Sequence, residues 1–233
     1  MTRSAPARTR FDTLGFDADD TLWHTEAAFQ LTQARFAELL ADHAGRDDLM
    51  AALLAAERRN LGIYGFGVKG FVLSMIETAL EVTDRRVPGA AIAELVEAGR
   101  AMLAHPVELR PGARAALEAL APDHRLVLVT KGDLLDQERK LAQSGLGELF
   151  DEVRIVSAKA RDTYVAAFPD PDRAAMVGDS MRSDVLPALE AGAWAVHCPG
   201  DAVWALEHAE APDHPRFRAI ASLDELPALL AAL

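Results

Sequence analysis

Cysteine is nearly absent from this chain of 233 residues: Cys198 is the only one. No internal disulfide can form, and a reducing cytoplasm is the expected setting. Lysine is scarce too, limited to Lys69, Lys131, Lys140 and Lys159. Positive charge is outweighed overall, since 24 Lys and Arg against 36 Asp and Glu give a formal net charge of −12. A surface this acidic repels nucleic acid and anionic membranes, so neither is expected as a main partner. No window carries the long uncharged apolar run of a transmembrane helix. The basic, proline-containing start, residues 1–10, has no signal-peptide apolar region and is expected to be a short disordered leader. Apolar residues, by contrast, make up 50% of the chain. That is enough for a sizeable core, in one domain or one domain carrying an insertion.

The apolar residues change period along the chain. Thr13-Leu14-Gly15-Phe16 reads as a short buried strand running into Asp17-Ala18-Asp19-Asp20-Thr21. From about residue 26 to 105 the spacing is helical, predicting helices near 27–44, 48–60, 68–82 and 89–104. A glycine-punctuated loop is expected over 61–67, between the second and third. After Pro111-Gly112 the pattern alternates. Strands are predicted at 126–129, 153–156, 174–177, 194–196 and 217–220, and helices at 113–120, 134–144, 163–168, 183–191 and 223–230. Short continuous apolar strands alternating with helices predict an α/β fold, a parallel sheet covered on both faces. The domains expected are a sheet core from 1–24 and 106–233, and an all-helical insert, 25–105, after the first strand.

In such a sheet, ligands bind beyond the carboxyl ends of the strands. Three predicted strands end in polar residues there: Asp17, Thr130 and Asp179. Asp17 and Asp19 are close enough to aim two carboxylates at one point, which calls for a cation or a proton between them. Mg²⁺ suits such a set, because it takes one or two protein carboxylates plus phosphate oxygens and waters. Asp179 is the next carboxylate to offer it. Asp184, about a turn further on, could orient a water on the metal or hold a lysine.

These segments, in order, resemble the four motifs of the haloacid dehalogenase (HAD) superfamily: Asp17-Ala18-Asp19-Asp20-Thr21, the strand ending in Thr130, Lys159, and Gly178-Asp179-Ser180-Met181-Arg182-Ser183-Asp184. The insert resembles that superfamily's helical type 1 cap, on a Rossmann-like core. The resemblance implies Asp17 as nucleophile, forming an aspartyl-phosphate, and Asp19 as acid–base partner, its carbonyl also ligating the metal. It implies that Thr130, with amides near Lys131 and Gly132, binds phosphoryl oxygens, and that Lys159 neutralises charge. Arg161 and Lys131 are alternatives for that lysine role. Asp179 and Asp184 complete the metal group with Asp17 and Asp19. Lys131 and Arg182 would add local positive charge.

The expected activity is Mg²⁺-dependent hydrolysis of a small phosphate monoester, nucleotidase-like or on a sugar or organic-acid phosphate. Asp19 favours this over dehalogenation, because a halide leaves without being protonated. A phosphonatase would use a cap lysine, for which Lys69 is a candidate. A non-catalytic phospholigand-binding protein is the alternative from another class. The 64–69 stretch with Lys69 either approaches substrate or is a plain turn, and the linkers near 23–26 and 105–111 are candidate hinges. The expected partner is a small phosphorylated metabolite; the oligomeric state is not encoded legibly.

Overall fold

The computed structural model describes residues 10–202 and 204–233. The expected leader, but for Arg10, therefore lies outside the described residues. In chain order the elements are β1 (Thr13–Phe16), α1 (Glu26–Leu39), α2 (Arg46–Tyr64), α3 (Val68–Val82), α4 (Gly89–Ala104) and α5 (Ala113–Leu120). Then come β2 (Arg125–Lys131), α6 (Leu134–Ser144), β3 (Glu152–Val156), α7 (Arg161–Ala167) and β4 (Ala174–Gly178). The chain closes with α8 (Leu186–Glu190), β5 (Trp194–His197), β6 (Phe217–Ala219) and α9 (Leu226–Ala232).

Several predicted boundaries move, three of them for a visible local reason. The loop expected at 61–67 shrinks to 65–67, because α2 runs on to Tyr64 and stops where Gly65 turns to φ 72. That left-handed conformation is one glycine reaches without a Cβ clash. The first predicted helix stops at Leu39 rather than 44, the chain turning instead through a His43 N–H bond to the Leu40 carbonyl. The helix predicted over 183–191 opens as a π-helical turn, Met181–Val185, before α8 begins.

The six strands form one sheet in the order β3-β2-β1-β4-β5-β6, with β1 paired in parallel to both β2 and β4. Every residue of β1 and β4 is buried, as a strand covered on both faces requires. Beneath the sheet, Val127, Val129, Met176 and Ala195 pack with Tyr164, Phe168 and Val185. The strand order reverses direction beside β1, and the crevice at such a switch point is where α/β sheets take their ligands. Register fixes what lines it. Phe16 lies opposite Leu128 and Val177, so Asp17 emerges one residue past this level and Thr130 and Asp179 two. On the next strand, buried Cys198 follows β5 and its N–H donates to the Gly178 carbonyl at 2.9 Å.

Compactness divides the chain into two units. One holds the described residues up to His24, Glu108–Thr130 and Ser144–Leu233, and so the sheet. The other holds Thr25–Val107 together with Lys131–Gln143. The helical unit has its own core of Phe36, Leu49, Leu53, Phe71, Met75 and Leu95. A polar seam joins α2 to α3: the Asn60 amide donates to Ser74 Oγ at 3.1 Å and Glu77 Oε2 at 2.9 Å, and the Tyr64 hydroxyl donates to Glu77 Oε1 at 2.6 Å. Segment 131–143 joins this unit through Lys69, whose Nζ donates to both Asp133 oxygens at 2.9 Å. Lys131 Nζ also stands 4.2 Å from the Phe66 ring centroid. No helix among the described residues is long and apolar enough to cross a membrane.

Candidate active site

The turn after β1 is held at both ends. The Asp17 N–H donates to the Val177 carbonyl at 2.9 Å, continuing the β1–β4 ladder by one residue. The chain then folds back, with Leu22 N–H donating to the Ala18 carbonyl at 2.8 Å and Asp20 N–H to the Trp23 carbonyl at 2.7 Å. Asp20 takes φ 58, a left-handed conformation that Asp tolerates better than most residues. The Arg110 guanidinium donates to the Asp20 carbonyl at 2.6 Å and to the Pro199 carbonyl at 2.8 Å, clamping the turn. Trp23, fully buried, donates its indole N–H to Asp19 Oδ1 at 2.7 Å. The Thr21 hydroxyl accepts the Asp179 N–H at 3.0 Å and lies 3.5 Å from Asp17 Oδ2 and 3.3 Å from Asp179 Oδ1.

Asp17, Asp179 and Asp184 each bring a carboxylate oxygen within 4.8 Å of the others'. Lys159 inserts its ammonium between two of them, donating to Asp17 Oδ1 and, at 2.7 Å, to Asp184 Oδ1. Its side chain is 1% exposed. Burial alone would lower the lysine, but the flanking carboxylates outweigh it and hold the ammonium above its ordinary range. Burial raises the Asp17 carboxyl; Lys159 opposes the rise and Asp184 and Asp19 add to it. Asp179 is raised by burial and then by Asp17 and Asp184. One ammonium thus faces three clustered acids, and the group is short of positive charge. Mg²⁺ takes hard carboxylate oxygens of this kind, so the donor chemistry suits that metal.

Asp184 is oriented at both oxygens. Oδ1 takes Lys159 and the Tyr164 hydroxyl, the latter at 3.3 Å, and Oδ2 takes the Ser180 N–H at 3.1 Å. Gly178 makes the room. A Cβ there would lie 2.2 Å from Asp184 Oδ2.

Of the residues singled out in the sequence, the structure gathers Asp17, Asp179, Asp184 and Lys159 into this cluster. Asp19 sits beside it, its carboxylate engaged by Trp23. Thr130 is buried near the end of β2. Arg182 donates to the Leu206 carbonyl at 3.3 Å. Arg161, the alternative lysine substitute, donates instead to Asp162 and the Glu190 carbonyl. Lys131, Gly132 and Lys69 belong to the helical unit, where Lys131 lies over Phe66 and Lys69 is paired with Asp133. A substrate role for Lys69 would require it to exchange that partner. The sequence reading passed over Trp23, Tyr164 and Glu207. Glu207 accepts from the hydroxyls of Ser180 and Ser183, the former at 2.6 Å. Only Trp23 carried a local signal, an indole four residues after an acid in a tight turn.

A family model described as haloacid dehalogenase-like hydrolase matches residues 11–192. Among solved structures, a haloacid dehalogenase-like family hydrolase from Xanthomonas campestris is 41% identical with a TM-score of 0.86, over 96% of this chain and 93% of that one. A HAD-hydrolase from Bacillus subtilis, solved bound to magnesium, is 20% identical with a TM-score of 0.65, over 95% and 99% of the two chains. A 2-haloacid dehalogenase from Pseudomonas syringae is 23% identical with a TM-score of 0.59, again over 95% and 99%. Proteins named as phosphatases share the fold as well. At these lower identities the likeness is one of fold. No curated protein matches the chain. The matched span takes in Asp17, Lys159, Asp179 and Asp184, and with the 41% identity it establishes that this chain belongs to the haloacid dehalogenase-like hydrolases.

Proposed function

We propose that this hydrolase is a Mg²⁺-dependent phosphatase acting on a small phosphate monoester through an aspartyl-phosphate on Asp17. The observation that carries the reading is Asp19. It lies two residues beyond Asp17, its carboxylate fixed by the Trp23 indole at 2.7 Å, beside a cluster of three carboxylates. Displacing a halide calls for neither a second acid nor a metal group. Releasing an alkoxide calls for the acid, and a metal group offsets the charge on the phosphoryl oxygens.

Asp17 attacks phosphorus and the ester P–O bond breaks. Asp19 gives its proton to the departing oxygen, and then takes one from the water that hydrolyses the acyl phosphate. Lys159 holds Asp17 in position and offsets its charge, and Thr130 is assigned to the phosphoryl oxygens. Asp17, Asp179 and Asp184, with the Asp19 carbonyl, would hold Mg²⁺, which when bound neutralises phosphoryl charge. The leaving group is assigned to a small metabolite. The one buried thiol is in keeping with a cytoplasmic setting.

The test is turnover of p-nitrophenyl phosphate with Mg²⁺, with EDTA, and by Asp17→Asn. Release that needs Mg²⁺ and is lost in Asp17→Asn is expected. Release surviving EDTA removes the metal from the reading. Chloride release from 2-haloacids without metal, and no phosphate release, assigns dehalogenation instead.

A further inference from the structure

The turn that carries Asp179 and Asp184 is an unusual one. Leu186 N–H donates to the Met181 carbonyl, a π-helical bond, and the Ser180 carbonyl accepts from both Asp184 and Val185 at 3.0 and 3.1 Å. One-turn π segments are wide and intrinsically poor, and they persist where other contacts fix them. Ser180 is the fixed point here. Its N–H orients Asp184 Oδ2, and its peptide neighbour is Asp179. Its hydroxyl accepts the Ser183 N–H at 2.9 Å, so it satisfies one of the free donors that open the turn.

A hydroxyl accepts in a defined direction only if its own proton has a defined partner. That partner is Glu207. Its Oε2 takes the Ser180 hydroxyl at 2.6 Å and the Ser183 hydroxyl as well. The preceding residue is tied down too, since the Leu206 carbonyl accepts from Arg182 in the same turn. Glu207 lies 27 residues beyond Ser180 in the chain, past the whole of β5. Two hydroxyl donors converge on this one carboxylate oxygen and hold it against the turn.

We infer that Glu207 is a positioning residue for the Asp179–Asp184 carboxylates: through Ser180 and Ser183 it fixes the π turn in the shape that presents them to a divalent cation. It acts by accepting hydrogen bonds, not by adding charge. The inference rests on the magnesium reading above and goes beyond it, because Glu207 lies outside the four motifs and offers no oxygen to the cluster.

Mg²⁺ affinity, measured by isothermal titration calorimetry on the intact protein, tests it apart from turnover. Groups that orient metal ligands typically change metal affinity about 10- to 100-fold when removed. Glu207→Ala is expected to weaken Mg²⁺ binding by roughly tenfold or more. Glu207→Gln keeps an acceptor oxygen for both hydroxyls and is expected to stay within about threefold of wild type. Melting of the metal-free proteins separates a loosened turn from a loosened fold. Should Glu207→Ala not fold, Ser183→Ala removes one of the same two donors and is expected to weaken Mg²⁺ in the same direction. Equal Mg²⁺ affinity in wild type and Glu207→Ala overturns the inference while leaving the phosphatase reading intact. So does a Glu207→Gln as weak as Glu207→Ala. Failure of the wild-type protein to bind Mg²⁺ overturns the metal reading and the inference with it.

Discussion

At the scale of single residues, the site depends on atoms that are missing as much as on those present. Gly178 leaves a gap that the Asp184 carboxylate fills, and a methyl group there would lie 2.2 Å from Oδ2 and 2.3 Å from Cγ. Asp184 has nowhere to retreat, being held by Lys159, Tyr164 and the Ser180 N–H. Gly178→Ala is therefore expected to cost about 1–3 kcal/mol of stability, in the range of overpacked cores, and to disturb Asp184 more than any distant site. Urea denaturation measures the first effect and Mg²⁺ titration the second; an unchanged denaturation midpoint would show that the carboxylate can move aside. Asp17, Asp19 and Asp179 stood out in the sequence because each lies just past a predicted strand end, where side-chain type alone suggests chemistry, whereas Lys159 stood out only through the family resemblance. Trp23 and Glu207 did not stand out. Their value lies in which atom they hydrogen-bond, and Glu207 meets Ser180 only once β5 has run past. Thr21 was read as part of a motif. Its hydroxyl as the partner of the Asp179 N–H appears only with the β1–β4 register.

At the scale of elements, the helices most legible in the sequence are those with strong punctuation. Gly67 precedes α3, Pro88 precedes α4 and Gly112 precedes α5, and these helices run where the periodicity puts them. Apolar spacing over a single turn cannot tell a π segment from an α-helix, which is why the 181–185 turn was read as ordinary helix. The grouping of 131–143 with the helical unit was equally hidden, because Lys69 and Asp133 are 64 residues apart. That pair has a testable pH signature. The hydrogen bonds from Lys69 hold the Asp133 carboxyl below its ordinary value of 3.8. A depressed folded-state value stabilises the protein above the unfolded value, and the gain is lost as pH falls through the folded one. The pair is half exposed on the lysine side, so the effect is small, about 0.5 kcal/mol or less at neutral pH. Lys69→Ala is expected to show that deficit in urea denaturation at about pH 7 and to lose it as the pH falls through the ordinary carboxylate range and below it. A deficit that persists unchanged in acid would mean the lysine stem's packing matters and its charge does not.

At the scale of the whole molecule, the alternation of strands and helices after residue 111 and the helical stretch before it were enough to read a parallel α/β sheet interrupted after its first strand. The sheet order was not readable, because adjacency of β1 to β4 is set by crossovers whose direction no local pattern records. The acidic surface also takes on meaning only beside the site. With a net charge of −12 the molecule as a whole does not draw in an anion from a distance, and the ammonium of Lys159 is buried between Asp17 and Asp184. The scarcity of cysteine has a practical consequence. Cys198 sits one hydrogen bond from Gly178, shut away from solvent, with burial raising its thiol. It is a built-in reporter at the edge of the acidic crevice. A thiol reagent such as Ellman's should leave the native protein untouched for long periods and take up a single equivalent in denaturant. Its slow native reaction would then clock how often β4 and β5 part, and Mg²⁺ should slow that clock. Rapid labelling of the native protein would show that this side of the sheet opens freely. The lone sulfur would thus time, in a single exponential, the breathing of β4 against β5.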